Sequence, residues 1–459
     1  MNLFTSLFGR AAAAQYPGDP VLLAGRCASL DELGEFLSHR SGYVREAAVA
    51  RTVQLRGAGA LQALMPRLND WVPQVRDAAQ RAVLTLLPFA EPEEWTACLG
   101  QLWRLRQKSR WDHSRWIAQL EIELAARLGV ARLRAAVQGA DPLMARAAFQ
   151  LLRAGDMLSE GELLEMAIGT RFDIVTAVQG VRLALAAPPA LRQPLLQQAM
   201  GSQFGAVRTL ALRGLLALEM PGAEGLALQA LADAQGSVRS VAQYFLQRAG
   251  FDLAGHFRRQ LGDAALGRRQ ACIALGALAA LGGADDLPLV RRWSGSALPS
   301  VRGAALRSWL RLAPGDKDGI ALQALADDSL GNRKLGARMV SHHGAFIPFE
   351  RIQEVLQARA EITVLLSCAR VRKWDWLQAL ATQAAGIDEN DANWPLLATE
   401  LARWLRDAHN AYDQPAPQQA AALRSPALVA ALERLCAGND WQRDTLHLEL
   451  KKHCNWNNN

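Results

Sequence analysis

The side chains in this sequence best equipped for recognition chemistry are arginines, and their spacing separates two sets. One set, Arg45, Arg76, Arg146, Arg208, Arg239, Arg269, Arg302 and Arg333, follows a turn and opens an Ala-rich segment, as in GYVREAAVA, PQVRDAAQRAV and PSVRGAALRSWL. A second set stands five residues later, at Arg81, Arg213, Arg307 and Arg338, and Arg311 and His342 extend it four residues further on. On a helix five residues turn through about 500°, so the two sets point about 140° apart. The first set reads as structural, because a buried guanidinium needs a carboxylate and Asp70, Asp141, Asp233, Asp263 and Asp327 stand shortly before five of its members. The second has no such companion. Equivalent positions of successive copies line up, so Arg81, Arg213, Arg307, Arg311, Arg338 and His342 are expected to form one exposed basic stripe on the concave side of the array. Such a stripe suits an acidic protein segment or a phosphate backbone.

Two other segments mix aromatic and basic residues. Residues 95–116, WTACLGQLWRLRQKSRWDHSRW, interleave Trp95, Trp103, Trp111 and Trp116 with Arg104, Arg106, Lys108, Arg110 and Arg115. Residues 370–376, RVRKWDW, set Arg370, Arg372 and Lys373 beside Trp374, Asp375 and Trp376. Basic residues steer a polyanion and aromatic faces stack on bases. Trp103, Arg106, Arg110, Trp111, Arg115, Arg372, Lys373 and Trp374 are therefore the candidate nucleic-acid contacts. The same residues would equally build the core of an enlarged helical repeat, and the sequence leaves both readings open.

Catalytic and metal chemistry find no support. There is no phosphate-binding Gly-rich loop, nucleophile elbow or HExxH. His342 and His343 are adjacent, about 100° apart on a helix, which makes a poor chelate. The six cysteines, Cys27, Cys98, Cys272, Cys368, Cys436 and Cys454, form no CxxC pair, so neither a zinc site nor a disulfide framework is legible. No catalytic residue, metal or cofactor is expected.

The elements that must position these residues follow from a repeat. Most anchor arginines recur at intervals of 30 to 33 residues, and the two longer gaps each divide in two with degenerate units near Arg115 and Thr176. A period of about 31 residues belongs to helical solenoids. In each unit a first helix precedes the anchor, as in residues 58–68 (AGALQALMPRL), with apolar residues three and four apart. Gly, Pro and Asp-Ser punctuate the units. The expected fold is all-α: an α-solenoid of stacked antiparallel helix pairs over residues 27–410. Residues 1–26 would form an N-terminal cap, and residues 411–459 a loop, capping helices and an Asn-rich tail.

The composition agrees. In 459 residues, 50% are hydrophobic and 21% charged, which excludes a disordered or collagen-like chain. Fifty-one Lys and Arg against 44 Asp and Glu leave a net charge of +7, which admits an acidic partner without requiring one. No apolar run of about 18 residues is present to span a membrane. Residues 1–14, MNLFTSLFGRAAAA, place their apolar stretch before Arg10, the reverse of a secretory signal, so a cytoplasmic protein with a docking or capping helix is expected.

Repeats with an aspartate in the inter-helix turn and Val-Arg opening an Ala-rich helix resemble HEAT repeats, especially the short type found in bacterial proteins and phycobilisome lyases. The resemblance covers most of residues 41–343. It implies an ion-pair ladder running through the stack, carried here by Asp70 with Arg76, Asp141 with Arg146, Asp233 with Arg239, Asp263 with Arg269 and Asp327 with Arg333. Arg45, Arg208 and Arg302 depart from it, with Ser41, Ser202 and Ser296 near the aspartate position. One branch of such proteins, the alkylpurine DNA glycosylases, uses tryptophans and an aspartate around a damaged base; Trp374-Asp375-Trp376 and Trp111-Asp112 supply those residue types without an aligned motif. The His-Glu pairs of HEAT-repeat hydroxylases are absent. The expected function is a non-catalytic protein-binding solenoid, a scaffold, adaptor or inhibitor, that captures an acidic partner segment on the arginine stripe. The alternative is a nucleic-acid-binding protein that recognises damaged DNA.

Overall fold

The computed structural model describes residues 19–107, 110–263, 265–356, 361–407 and 413–456. Residues 1–14, Lys108, His409, the start of the expected loop at 411–412 and the final asparagines at 457–459 lie outside them. The described residues are helical, without a strand, and the chain divides into two compact units, Met1–Ala249 and Gly250–Asn459.

In the first unit each anchor opens a long second helix: Gly42–Leu55, Pro73–Leu86, Pro142–Ala154, Gly205–Leu216 and Gly236–Arg248. First helices precede them, among them Leu30–Leu37, Pro189–Met200 and Ala223–Ala230. Both degenerate units are helix pairs as well. Ile174–Ala186 follows Glu160–Ile168, and Pro92–Gln107 precedes Ser114–Val137. The last of these is one long helix broken at Gly129, whose φ of 72° and ψ of 162° end one second helix and start the next first helix. The second unit continues the pattern with Leu253–Gly262 and Arg268–Leu281, Leu287–Trp293 and Pro299–Leu312, and Lys317–Leu325 and Leu330–His343. Its remaining helices run from Phe349–Leu356 to Asp440–Cys454.

The sequence forms these elements for local reasons. Proline occupies the first turn of Pro73–Leu86, Pro142–Ala154 and Pro299–Leu312, where its missing N–H has no cost. Asp141 and Asp173 cap their helices by accepting from backbone N–H groups two and three residues on. Small residues at the seams let helices approach closely. Ala79, Ala148, Ala177 and Ala211 are fully buried, and a Cβ added at Gly336 would come within 2.8 Å of the Ala321 carbonyl oxygen.

The ladder exists, but its pairing joins each arginine to the acidic residue of the next repeat rather than to that of its own. Arg45 donates Nε and Nη2 to the two Asp70 oxygens at 2.8 and 2.7 Å. Arg146 reaches Asp173 at 3.0 and 2.7 Å, Arg208 reaches Asp233 at 2.8 and 2.7 Å, and Arg302 reaches Asp327 at 2.7 Å twice. Arg333 pairs with Glu361, and Arg370 with Glu400. Within its own repeat the arginine instead donates to a main-chain carbonyl six residues back: Arg76 to Asp70, Arg239 to Asp233 and Arg333 to Asp327, at 2.8, 2.7 and 2.8 Å. The expected pairs Asp70–Arg76, Asp233–Arg239 and Asp327–Arg333 are thus corrected, since each of these carboxylates belongs to a different arginine. The serine departures follow at once. Arg208 and Arg302 need only the carbonyls of Ser202 and Ser296, at 2.7 and 2.9 Å.

Burial alone would raise the Asp70 carboxyl, but the Arg45 hydrogen bonds, the Val72 N–H and two guanidinium charges hold it below the ordinary value. Asp327, desolvated yet bound by Arg302 and the Ser329 N–H, lies at about 2.

Candidate partner-binding site

Arg81, Arg213, Arg307, Arg311, Arg338 and His342 are all exposed. In the second unit three of them converge. Pro299–Leu312 and Leu330–His343 flank a groove of about 660 Å³ lined by Arg307, Arg311, Lys317, Lys334 and Arg338, with the His343 imidazole beside them. Half-buried Leu310 and Leu335, with Pro314, supply its apolar surface. At the N-terminal ends the two helices are pinned together. Asn332 donates Nδ2 to the Pro299 carbonyl at 3.0 Å, and its Oδ1 lies where a Cβ on Gly303 would stand, 2.4 Å away. Beyond this pin the long basic side chains line the space between the helices.

The electrostatics of this groove are one-sided. Five of its side chains are lysine or arginine, and no described carboxylate forms an ion pair with any of them. The contrast with the ladder face is sharp, since Arg302 and Arg333 on the same two helices are each claimed by an acidic residue. His342 does not line the groove; its Nδ1 sits 2.6 Å from the Ser341 hydroxyl, and neighbouring His343 lines it instead. Lys317, Lys334 and His343 carry no periodic signal in the sequence. Lys334 is merely the residue after a ladder arginine, and Lys317 comes from a first helix.

The other stripe residues lie elsewhere. In the first unit Arg213 lines a groove of about 960 Å³ between Gly205–Leu216 and Gly236–Arg248, with Tyr244, Phe245, Arg248 and Glu219. Tyr244 is 63% exposed, with the Arg248 guanidinium 5.9 Å from its ring centre. Arg81 stands exposed on Pro73–Leu86 and lines neither groove.

The tryptophan-rich segment is divided. Trp95 is fully buried, and Trp103 and Trp116 are half-buried against the core. Arg106 is tied to Glu121 at 2.5 Å. Arg110, Trp111 and Arg115 remain exposed, with the Arg76 guanidinium 5.1 Å from the Trp111 ring. Trp71 repeats this arrangement one unit earlier, 65% exposed with Arg45 at 5.5 Å. Sequence reasoning passed over Trp71, and its signal was its place directly after the ladder residue Asp70.

Residues 370–376 are a correction. Lys373 and Trp374 are 5% and 2% exposed, and so present no surface to a nucleic acid. Lys373 Nζ pairs with Glu449 at 2.7 Å and sits 4.9 and 5.6 Å from the Trp374 and Trp404 rings. Trp374 donates Nε1 to the Asp413 carbonyl at 2.8 Å. Burial pushes the Asp375 carboxyl up, and Gln419 donates to it at 2.5 Å. Arg372 is half-buried, 4.3 Å over the Phe346 ring. The segment is an anchor for the last helices, because a buried lysine persists only when paired.

All six cysteines are free, and burial raises Cys98 and Cys368 to about 12. Among the described residues no three His, Cys, Asp or Glu side chains gather as a metal site would require. No described helix is long and apolar enough to cross a membrane.

The fold these pairs define is an all-α, HEAT-like helical repeat. Set against known proteins, the chain matches no family and no curated protein. Among solved structures it is similar to the karyopherin Kap121p, at 16% identity and a TM-score of 0.32, over 95% of this chain and 55% of that one. It is also similar to Kap95p in its complex with RanGDP, at 11% identity and a TM-score of 0.31, over 95% of this chain and 62% of that one. The chain thus spans little more than half the length of these karyopherins, and the helical-repeat assignment rests on its own helix pairs and arginine ladder.

Proposed function

We propose that the protein is a non-catalytic binding solenoid, a scaffold, adaptor or inhibitor of the short bacterial HEAT type. It captures a protein partner through an acidic segment on the face that carries Arg307, Arg311 and Arg338. One observation carries this reading. On the same two helices the ladder arginines are neutralised by carboxylates, whereas the groove arginines and lysines have no described carboxylate of their own. Arginine presents a rigid fork to carboxylates, and five cations without counter-charges in a groove with apolar patches form a surface built for an anionic ligand. Six unpaired cysteines accord with a reducing cytoplasm as the place of action.

The experiment is capture by the tagged full chain from host lysate, split into nuclease-treated and untreated halves. A stoichiometric protein retained after nuclease, and lost at high salt, is the expected result. Recovery of nucleic acid, with all proteins released on digestion, overturns the reading in favour of the exposed surface at Arg110, Trp111 and Arg115.

A further inference from the structure

The geometry of the groove points to the kind of acidic segment it takes, an inference that rests on the acidic-partner reading above. Pro299–Leu312 and Leu330–His343 are second helices of consecutive pairs and are pinned side by side near their starts by Asn332 and Pro299. Arg307 and Arg338 are each the ninth residue of their helix, so they stand level with one another across the groove. Lys334 comes four residues before that level and Arg311 four residues after it. Four residues of helix rise about 6 Å, so the cations form three tiers spread over about 12 Å: Lys334, then Arg307 with Arg338, then Arg311. Lys317 and His343 thicken the far end.

An extended peptide advances about 3.3 Å per residue, and alternate side chains leave on the same side about 6.7 Å apart. That repeat matches the tier spacing. A helical ligand would present its own i and i+4 carboxylates about 6 Å apart, but a helix about 10 Å across needs a wider trough than two helices packed at about 8–10 Å leave between them. We propose that the groove binds an extended five-residue segment with acidic residues at its first, third and fifth positions and aliphatic residues between. The middle carboxylate is shared by Arg307 and Arg338, and the outer two meet Lys334 and Arg311. The aliphatic side chains turn to the other side of the strand, onto half-buried Leu310 and Leu335 and onto Pro314, while the exposed cations hold the rim.

The test is fluorescence anisotropy of the full chain with two labelled, glycine-flanked isomers, Glu-Val-Glu-Val-Glu and Glu-Glu-Glu-Val-Val. The alternating peptide is expected to bind up to about fivefold tighter, because the isomer moves one carboxylate, worth up to about that factor at an exposed site, from the fifth position to the second, on the aliphatic side of the strand. The Arg307→Glu, Arg338→Glu double variant should lose this binding, while Arg351→Glu, a charge reversal on the separate helix Phe349–Leu356, keeps it. An unchanged thermal unfolding curve for the double variant shows that the array is intact. Equal binding of the isomers overturns the alternating register but leaves the acidic-partner reading standing. If neither peptide binds while the captured partner still does, the inference falls alone. A single-stranded oligonucleotide that binds the wild type tighter than either peptide, and is lost in the double variant, overturns both in favour of phosphate recognition.

Discussion

Replacing Asp70 with alanine should uncouple two neighbouring helix pairs in the first unit without unfolding the chain. The Asp70 carboxylate takes both forks of Arg45 at 2.8 and 2.7 Å, a third guanidinium bond from Arg67 at 3.1 Å and the Val72 N–H at 3.0 Å. The side chains of Arg45 and Asp70 are 3% and 2% exposed, the most enclosed pair in the ladder. Removing one partner of such a pair leaves a buried charge, a loss of about 3–5 kcal/mol. Arg45 keeps its bonds to the His39 and Arg40 carbonyls, at 2.7 and 3.0 Å, which argues for the lower end, about 3 kcal/mol. A repeat array does not unfold in one step, so the readout should be local. Amide hydrogen exchange in Gly42–Leu55 and Pro73–Leu86 should accelerate by about two powers of ten, since about 1.4 kcal/mol is one. The double variant Arg45→Met, Asp70→Leu should recover most of the protection, because an apolar pair in place of a buried ion pair is close to neutral. Unchanged exchange in Asp70→Ala, or no recovery in the double variant, would refute the ladder as the tie between repeats.

Four other outcomes follow from the same structure. Gly336→Ala should destabilise the second unit by about 1–3 kcal/mol in thermal or urea unfolding, because its Cβ would meet the backbone at Ala321 and Leu325. The same change at exposed Gly276, which has open space, should stabilise its helix by about 0.5–1 kcal/mol. Asp327 is held at about 2 against an ordinary 3.8, so its contribution to stability is fully present above the unfolded value and is lost as pH falls from about 4 toward 2; an acid titration of unfolding should show this loss, and Asp327→Asn should flatten it. Native thiol titration at mildly alkaline pH should modify half-buried Cys272 ahead of Cys98, Cys368, Cys436 and Cys454, whose thiols burial raises to about 11 or 12.

Much of the architecture was legible because a period of about 31 residues fixes phase. Val44, Val75, Val207, Val238 and Val301 precede their anchors and all are buried, as one face of a repeated helix must be. The exposure of Arg307 and Arg338 followed from the same arithmetic, since a rotation of about 140° carries a side chain off the ladder face. Pairing was harder to read. Asp70 is close in sequence to Arg76 yet bonded to Arg45, because neighbours across a stack are separated by a whole repeat along the chain. Lys373 and Trp374 show the limit most clearly. Sequence composition cannot distinguish an exposed basic-aromatic cluster from a buried one, and the partner that permits burial, Glu449, lies 76 residues away. The groove itself needed a contribution from Lys317, on a different helix, which no single-helix pattern contains.

The most direct test of the central claim is to take the protein captured by the wild-type chain after nuclease treatment and measure its binding to the Arg307→Glu, Arg311→Glu, Arg338→Glu variant. All three side chains are exposed and outside the ladder, so thermal unfolding should be nearly unchanged while partner binding is abolished. Full retention of the partner by this variant would contradict the account and move the binding surface away from the groove.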